Sequence, residues 1–136
     1  MKTMSRYMAA MVFCVGNAAH AAEPFAGSWE LVSAKYVKQN GEVLDEDAAK
    51  KLKSLKILSK NRFTFITQAK DGKFVSAGGG TYRIEGKQYI ESLEYASDPK
   101  MLGKAYSFSY RVSNGRWVHK GMEDGVHIEE IWRRVD

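Results

Sequence analysis

The sequence is short of cysteine, histidine and long apolar runs, and each shortage removes a class of protein. Its only cysteine is Cys14, so no intramolecular disulfide can staple the fold, and packing has to hold it. The longest apolar stretch near the start, Tyr7 to Gly16, is too short to span a bilayer. Basic residues number 21 against 16 acidic ones, a mild excess spread along the chain. Nucleic-acid binding usually needs a concentrated basic face, so no nucleic-acid partner is expected. Nucleophile elbow, zincin helix and phosphate loop are all missing, and there is no local metal-ligand motif. The chain is therefore not expected to be an enzyme or to carry a cofactor or metal.

What is present first is an address. Lys2 and Arg6 form a basic start, the apolar run follows, and Ala19-His20-Ala21 reads as an A-x-A cleavage site. Residues 1–21 are thus expected to be a secretory signal peptide, and residues 22–136 one domain in the periplasm or outside the cell. Phe13 stands where a lipoprotein would carry a small residue, so no lipidation of Cys14 is expected. Of the 21 basic residues, Lys2 and Arg6 leave with the signal, so 19 face 16 acidic ones, a net charge of +3. No stable membrane insertion is expected after cleavage. Of the histidines, His119 and His127 remain.

One segment, DEDAAKKLKSL, reads as a helix: Leu44, Ala48, Leu52 and Leu55 fall on one stripe. Asp45, Glu46 and Asp47 sit in its first turn, with lysines after them. Lys50, Lys51, Lys53, Lys56 and Lys60 then form a solvated face. Elsewhere aromatic and β-branched residues alternate, broken by Asp71-Gly72, Gly86-Lys87, Asn114-Gly115 and Asp124-Gly125, each suited to a tight hairpin turn. Lys60-Asn61 is a weaker fifth. The strands are expected near 27–38, 55–59, 62–70, 73–85, 88–96, 104–113, 116–123 and 126–135. Eight strands joined by short turns make an all-β, antiparallel, up-and-down barrel, which closes on itself and so leaves no edges.

Two-residue turns also fix cross-strand partners. They set Trp117 opposite Trp132, His119 opposite Glu130, Tyr110 opposite His119, Phe108 opposite Gly121, Tyr82 opposite Glu91, Phe65 opposite Gly78 and Phe63 opposite Gly80. Alternation then gathers Phe63, Phe65, Tyr82, Tyr89, Tyr95, Tyr106, Phe108, Tyr110, Trp117 and Trp132 inside. The first and last strands, as antiparallel neighbours, bring Trp29 and Arg134 to the same end. There Gly27, Trp29, Trp117, Trp132 and Arg134 are expected to close the barrel, with the arginine over the indole.

Gly27-x-Trp29 opening the first strand, with an arginine near the end of the last, resembles the lipocalin and calycin superfamily. The stretches GGGTYRIEGKQYIESLEYASDP, KAYSFSYRV and IEEIWRRV are similar to those of small exported bacterial lipocalin-like domains. The resemblance spans nearly all of residues 25 to 136. It implies an eight-stranded barrel with a cavity, often for small hydrophobic molecules.

Inside, Tyr110, His119 and Glu130 form one polar row, with Tyr82 and Glu91 in another. Such groups are costly to bury unless paired. Three readings are open: a satisfied structural network, contacts to a ligand, or a metal held by His119, Glu91 and Glu130. The candidate ligand contacts are Phe65, Tyr82, Glu91, Tyr95, Tyr106, Phe108, Tyr110, His119 and Glu130. A ligand with a hydroxyl, amine or cationic end would suit two acidic groups. The helix and the loop 97–103 would lie over the mouth. The expected function is binding of a small amphipathic or hydrophobic molecule within the barrel. The alternative is a barrel filled by its own rings that acts through its outer surface, on another protein or the cell envelope.

Overall fold

The computed structural model describes residues 24–136; the expected signal peptide and its cleavage site lie outside the described residues. Nine strands follow one another: β1 (Gly27–Lys38), β2 (Val43–Asp45), β3 (Leu52–Leu58), β4 (Arg62–Ala69), β5 (Phe74–Glu85), β6 (Gln88–Ala96), β7 (Ala105–Ser113), β8 (Arg116–Glu123) and β9 (Val126–Arg134). Each is antiparallel to the next in the sheet, and β1 pairs with β9 from Trp29↔Arg134 to Lys38↔Val126, closing the cylinder. β1 and β3 to β9 are the eight barrel strands. β2 is a short addition on the upper part of β1, where β3 does not reach.

Turn chemistry sets the register. Asn114, Gly115, Asp124 and Gly125 all have positive φ, the conformation of a two-residue type I′ hairpin. The expected partners follow: Val112↔Trp117, Tyr110↔His119 and Phe108↔Gly121 across β7 and β8, and Trp117↔Trp132 and His119↔Glu130 across β8 and β9. Tyr82↔Glu91, Phe65↔Gly78 and Phe63↔Gly80 are also observed. The Asp71-Gly72 corner is one residue wider than a two-residue turn, since Ala69 N bonds Lys73 O. A bulge at Thr67/Gln68 restores the register beyond it.

The expected helix is absent. Only a single 3-10 turn, Ala48–Lys50, forms there, and Leu52–Leu58 is a strand. The unpaired backbone of β4 decides this: β3 fills it from Leu52↔Ala69 to Leu58↔Phe63, and tertiary pairing overrides local helix propensity. Asp47 fixes the 3-10 turn in place. Its Oδ1 accepts from Ala49 N and, across the gap above the β1–β3 ladder, from Ala34 N at 3.1 Å.

Bulges in β6 and β1 also break the alternation. In β6, Gly79 faces Tyr95 and Gly80 faces Leu93, so Glu94 is extra. A one-residue insertion reverses the faces beyond it. Tyr95, expected inside, is therefore 69 % exposed. The same bulge explains Gly80. A Cβ there would collide with Ser92 O, so bulged backbone rather than the Phe63 ring requires glycine. In β1 the register shifts between Leu31 and Ser33, and Ala34 and Tyr36 turn inward in place of Ser33 and Lys35.

The lower end is closed as the opening strand suggested, with an addition. Trp29 is fully buried and the Arg134 guanidinium lies 4.4 Å over its ring. Arg134 donates to Ala26 O at 2.6 Å and Pro24 O at 2.8 Å. Gly27 (φ +130°) leaves room, since a Cβ would collide with Arg134 Nη1. Between these bonds hangs Phe25, which precedes the first strand and so lies outside any strand alternation. Trp29 Nε1 donates to its carbonyl at 2.9 Å. Its ring is fully buried, 5.0 Å from each of Tyr89, Tyr110 and Trp117. With Tyr82, Phe108 and Trp117 it fills the lower half of the barrel.

Arg134→Ala removes the stacked cation and both carbonyl bonds, and is expected to cost about 2–3 kcal/mol in urea unfolding. Arg134→Lys should recover less than half, because an ammonium cannot span both carbonyls. Unchanged stability in Arg134→Ala would refute this closure.

Candidate ligand-binding site

Above the packed rings lies a cavity of about 450 Å³ that opens at the upper end, within the usual range for small-molecule sites. Its floor is made by a lysine expected on a solvated face. Lys56 sits on the inner row of β3 with Leu52, Ser54 and Leu58, opposite Phe65. Its ammonium group is buried, 2.6 Å from Glu91 Oε1. The rings of Trp132, Trp117 and Phe63 surround it at 5.0, 5.2 and 5.8 Å. Tyr89 donates its hydroxyl to the same Glu91 oxygen at 2.8 Å.

Beside this pair stands Glu130. It accepts from the Tyr36 hydroxyl at 3.0 Å and the Trp132 indole at 3.0 Å, and His119 Nε2 lies 2.7 Å from Oε2. Burial alone would raise this carboxyl. The His119 bond, the charges of His119 and Lys56 and the Tyr36 bond outweigh it and bring it down to about 2. His119 is stacked on Phe108 at 4.4 Å, which fixes its ring plane. Among the described residues its Nδ1 and Trp117 Nε1 are buried without a hydrogen-bond partner.

Glu123, near the top of β8, behaves in the opposite way. It lines the cavity half-buried, with no hydrogen-bond donor to its carboxyl among the described residues. Burial first, then the Glu130 and Glu91 charges, push its carboxyl up to about 8, with Lys56 opposing. At the rim, Asp124 accepts from Lys104 at 2.6 Å and from the Tyr106 hydroxyl at 2.8 Å. The loop 97–103 contributes Asp98 and Met101, and Leu31, Leu44, Leu52, Leu93 and Ile128 supply apolar wall. Leu102 is exposed. The expected helical lid does not form, so Met101 and Asp98 alone lean over the mouth from that side.

Of the candidate contacts, Phe65, Glu91 and Glu130 line the cavity. His119 stands behind Glu130. Tyr106 is buried beside the rim with its hydroxyl on Asp124. Tyr82 and Phe108 belong to the packed half, Tyr110 lies half-buried near Phe25, and Tyr95 is outside. Trp132, assigned to the lower closure, instead lines the cavity floor. Phenols do serve the two carboxylates, but they come from Tyr89 and Tyr36; the Tyr82 hydroxyl donates to Ser59 O. The metal reading of His119, Glu91 and Glu130 fails on geometry, since Glu91 is held by Lys56 and Glu130 by His119. Among the described residues no three His, Cys, Asp or Glu side chains could hold a metal ion.

Lys56 was legible. The Lys60-Asn61 turn sets it opposite Phe65, on the ring-bearing face, but the helical stripe concealed this. Glu123 shares parity with His119 and Trp117 and was open to the same reasoning. Tyr36 was hidden by the β1 bulge.

Two consequences can be measured. Lys56→Met strands the Glu91 charge and should cost about 3–5 kcal/mol, most of it recovered on adding Glu91→Leu; equal losses in both variants would contradict a buried pair. Glu123 is held above its unfolded value, so its contribution is complete below about pH 4.5 and lost as pH rises toward about 8. Glu123→Gln should flatten the decline in melting temperature between those limits. A slope identical to the wild type would place Glu123 in solvent.

The profile of the family described as Domain of unknown function (DUF4488) matches residues 24–136. No curated protein matches the chain. Among solved structures, a lipocalin-like protein from Bacteroides uniformis ATCC 8492 aligns with a TM-score of 0.51 at 18% identity, over 83% of this chain and 100% of its own. An uncharacterized protein from Bacteroides eggerthii DSM 20697 aligns with a TM-score of 0.51 at 14% identity, over 82% of this chain and 99% of its own. At such identities the likeness is one of fold. No helix among the described residues is long and apolar enough to cross a membrane. The chain belongs to the DUF4488 family, and its fold is a lipocalin-like barrel.

Proposed function

We propose that this protein is exported and binds a small amphipathic molecule in the upper half of the barrel, without turning it over. The observation that carries the reading is the cavity itself. It has apolar walls from Leu31, Leu93 and Ile128 and a polar floor of Lys56, Glu91 and Glu130. A few fixed polar groups at the base of an apolar cleft orient a ligand while its apolar part supplies affinity. Export rests on the basic start, apolar run and A-x-A site of residues 1–21.

A filled barrel acting through its surface is the less favoured reading. The rings that would fill it stop at Trp117 and Trp132, and 450 Å³ remains above them.

Native mass spectrometry of the protein purified from its own host is expected to show a bound small molecule on a chain beginning at Ala22. Ile128→Trp, which fills the cavity, should lose it. Tyr95→Ala, on the outer face, should keep it. A wild-type protein that carries no ligand, and that also fails to bind the neutral probe N-phenyl-1-naphthylamine, would overturn the reading.

A further inference from the structure

The cavity wall carries an uneven charge. Glu91, Asp98, Glu123, Asp124 and Glu130 all line it, against one cation, Lys56. Several of these carboxylates are already engaged. Asp124 takes Lys104 and Tyr106, and Asp98 accepts from the Lys100 backbone N–H at 3.0 Å. Glu130 holds three donors.

Apart from Asp98, which is exposed at the mouth and engaged through Oδ1 alone, two of these carboxylates keep a free oxygen. Lys56 and Tyr89 both approach Glu91 through Oε1, so Oε2 takes no hydrogen bond among the described residues, nor does the Glu123 carboxyl. Glu91 is only 4% exposed and lines the cavity, so the cavity is where its second oxygen can find a donor. That oxygen is not among the buried unpartnered side-chain atoms of the described residues, Trp117 Nε1 and His119 Nδ1, so it is open to the cavity.

An anionic headgroup fits poorly here. Among the described residues the one ammonium in the wall is committed to Glu91 and enclosed by three rings, and an entering carboxylate would meet the charge of Glu130. A cation meets the free oxygen of Glu91 and the Glu123 carboxyl. We infer that the cavity takes an amphipathic amine, its ammonium against Glu91 Oε2 and Glu123 and its apolar chain along Leu31, Leu93 and Ile128 toward the mouth. This rests on the cavity being a ligand site.

The assignment has a signature that simple apolar binding lacks. The groups acting on Glu123 are Glu130 of β9, Glu91 of β6 and its neighbour Asp124, all raising it, and Lys56 of β3, lowering it. Tyr36 of β1 faces the same space but stays protonated, its hydroxyl held to Glu130 and its pKa raised by burial. Near pH 7 Glu123 is mostly protonated, and an arriving ammonium displaces that proton to solvent.

The test is displacement of N-phenyl-1-naphthylamine from the purified protein at pH 7 by decylamine, decanoate and 1-decanol. Decylamine is expected to act at a concentration at least tenfold below decanoate. Calorimetry in buffers of different ionisation enthalpy should show proton release with decylamine and none with 1-decanol. Glu123→Gln should abolish the release, whereas Tyr95→Ala, on the outer face, should leave both the release and 1-decanol affinity unchanged. Decanoate displacing as well as decylamine, or decylamine binding without proton release, would overturn the cationic assignment and leave the cavity reading standing. If the probe and all three compounds fail to bind, the cavity reading itself falls, and this one with it.

Discussion

The inside of this barrel is organised around one buried ammonium. A lysine in a protein interior needs an opposite charge, and the cost of removing both from water is repaid only when geometry and hydrogen bonds are good. Lys56 has Glu91 at 2.6 Å, a Tyr89 hydroxyl on the same oxygen, and three aromatic faces around it. That arrangement marks a level within the barrel. Below it, rings pack on rings; above it, charged and apolar groups face an open space.

The two halves depend on each other through the closing strands. β1 and β9 join the cylinder, and the same two strands bring Trp29 under Arg134 at the bottom and Tyr36 beside Glu130 near the middle. Phe25 enters from below on bonds made by Trp29 and Arg134. Because its ring occupies the axis with Tyr89 and Trp117, the space that could hold a ligand is confined to the upper half. The polar floor is therefore rigid on its lower side, as a site that orients a small molecule requires.

Much of this was legible in the sequence, for a physical reason. Side-chain direction in a strand has a period of two, and a tight turn fixes which residues oppose one another. The glycine corners at 86, 115 and 125 therefore placed His119 against Glu130 and Tyr82 against Glu91. The Trp29–Arg134 contact followed from strand order alone. What escaped lay where a non-local demand overrode a local pattern. The segment around Ala48 to Leu55 has helical spacing and a helical charge order, yet β4 required a partner and took it. That one exchange moved Lys56 from a solvated face to the centre of the site. Tyr95 was misplaced and Tyr36 was not singled out because of bulges, which no turn signal announces. Phe25 precedes the first strand and lay outside the parity argument altogether.

The central claim, a desolvated Lys56 ammonium paired to Glu91, can be observed without perturbing the fold. In a ¹⁵N-edited spectrum of the lysine side chains near pH 7, one ammonium group should exchange slowly enough with water to be seen, and it should vanish in Lys56→Met. A spectrum in which every lysine ammonium exchanges at the rate of a solvated side chain would contradict the account.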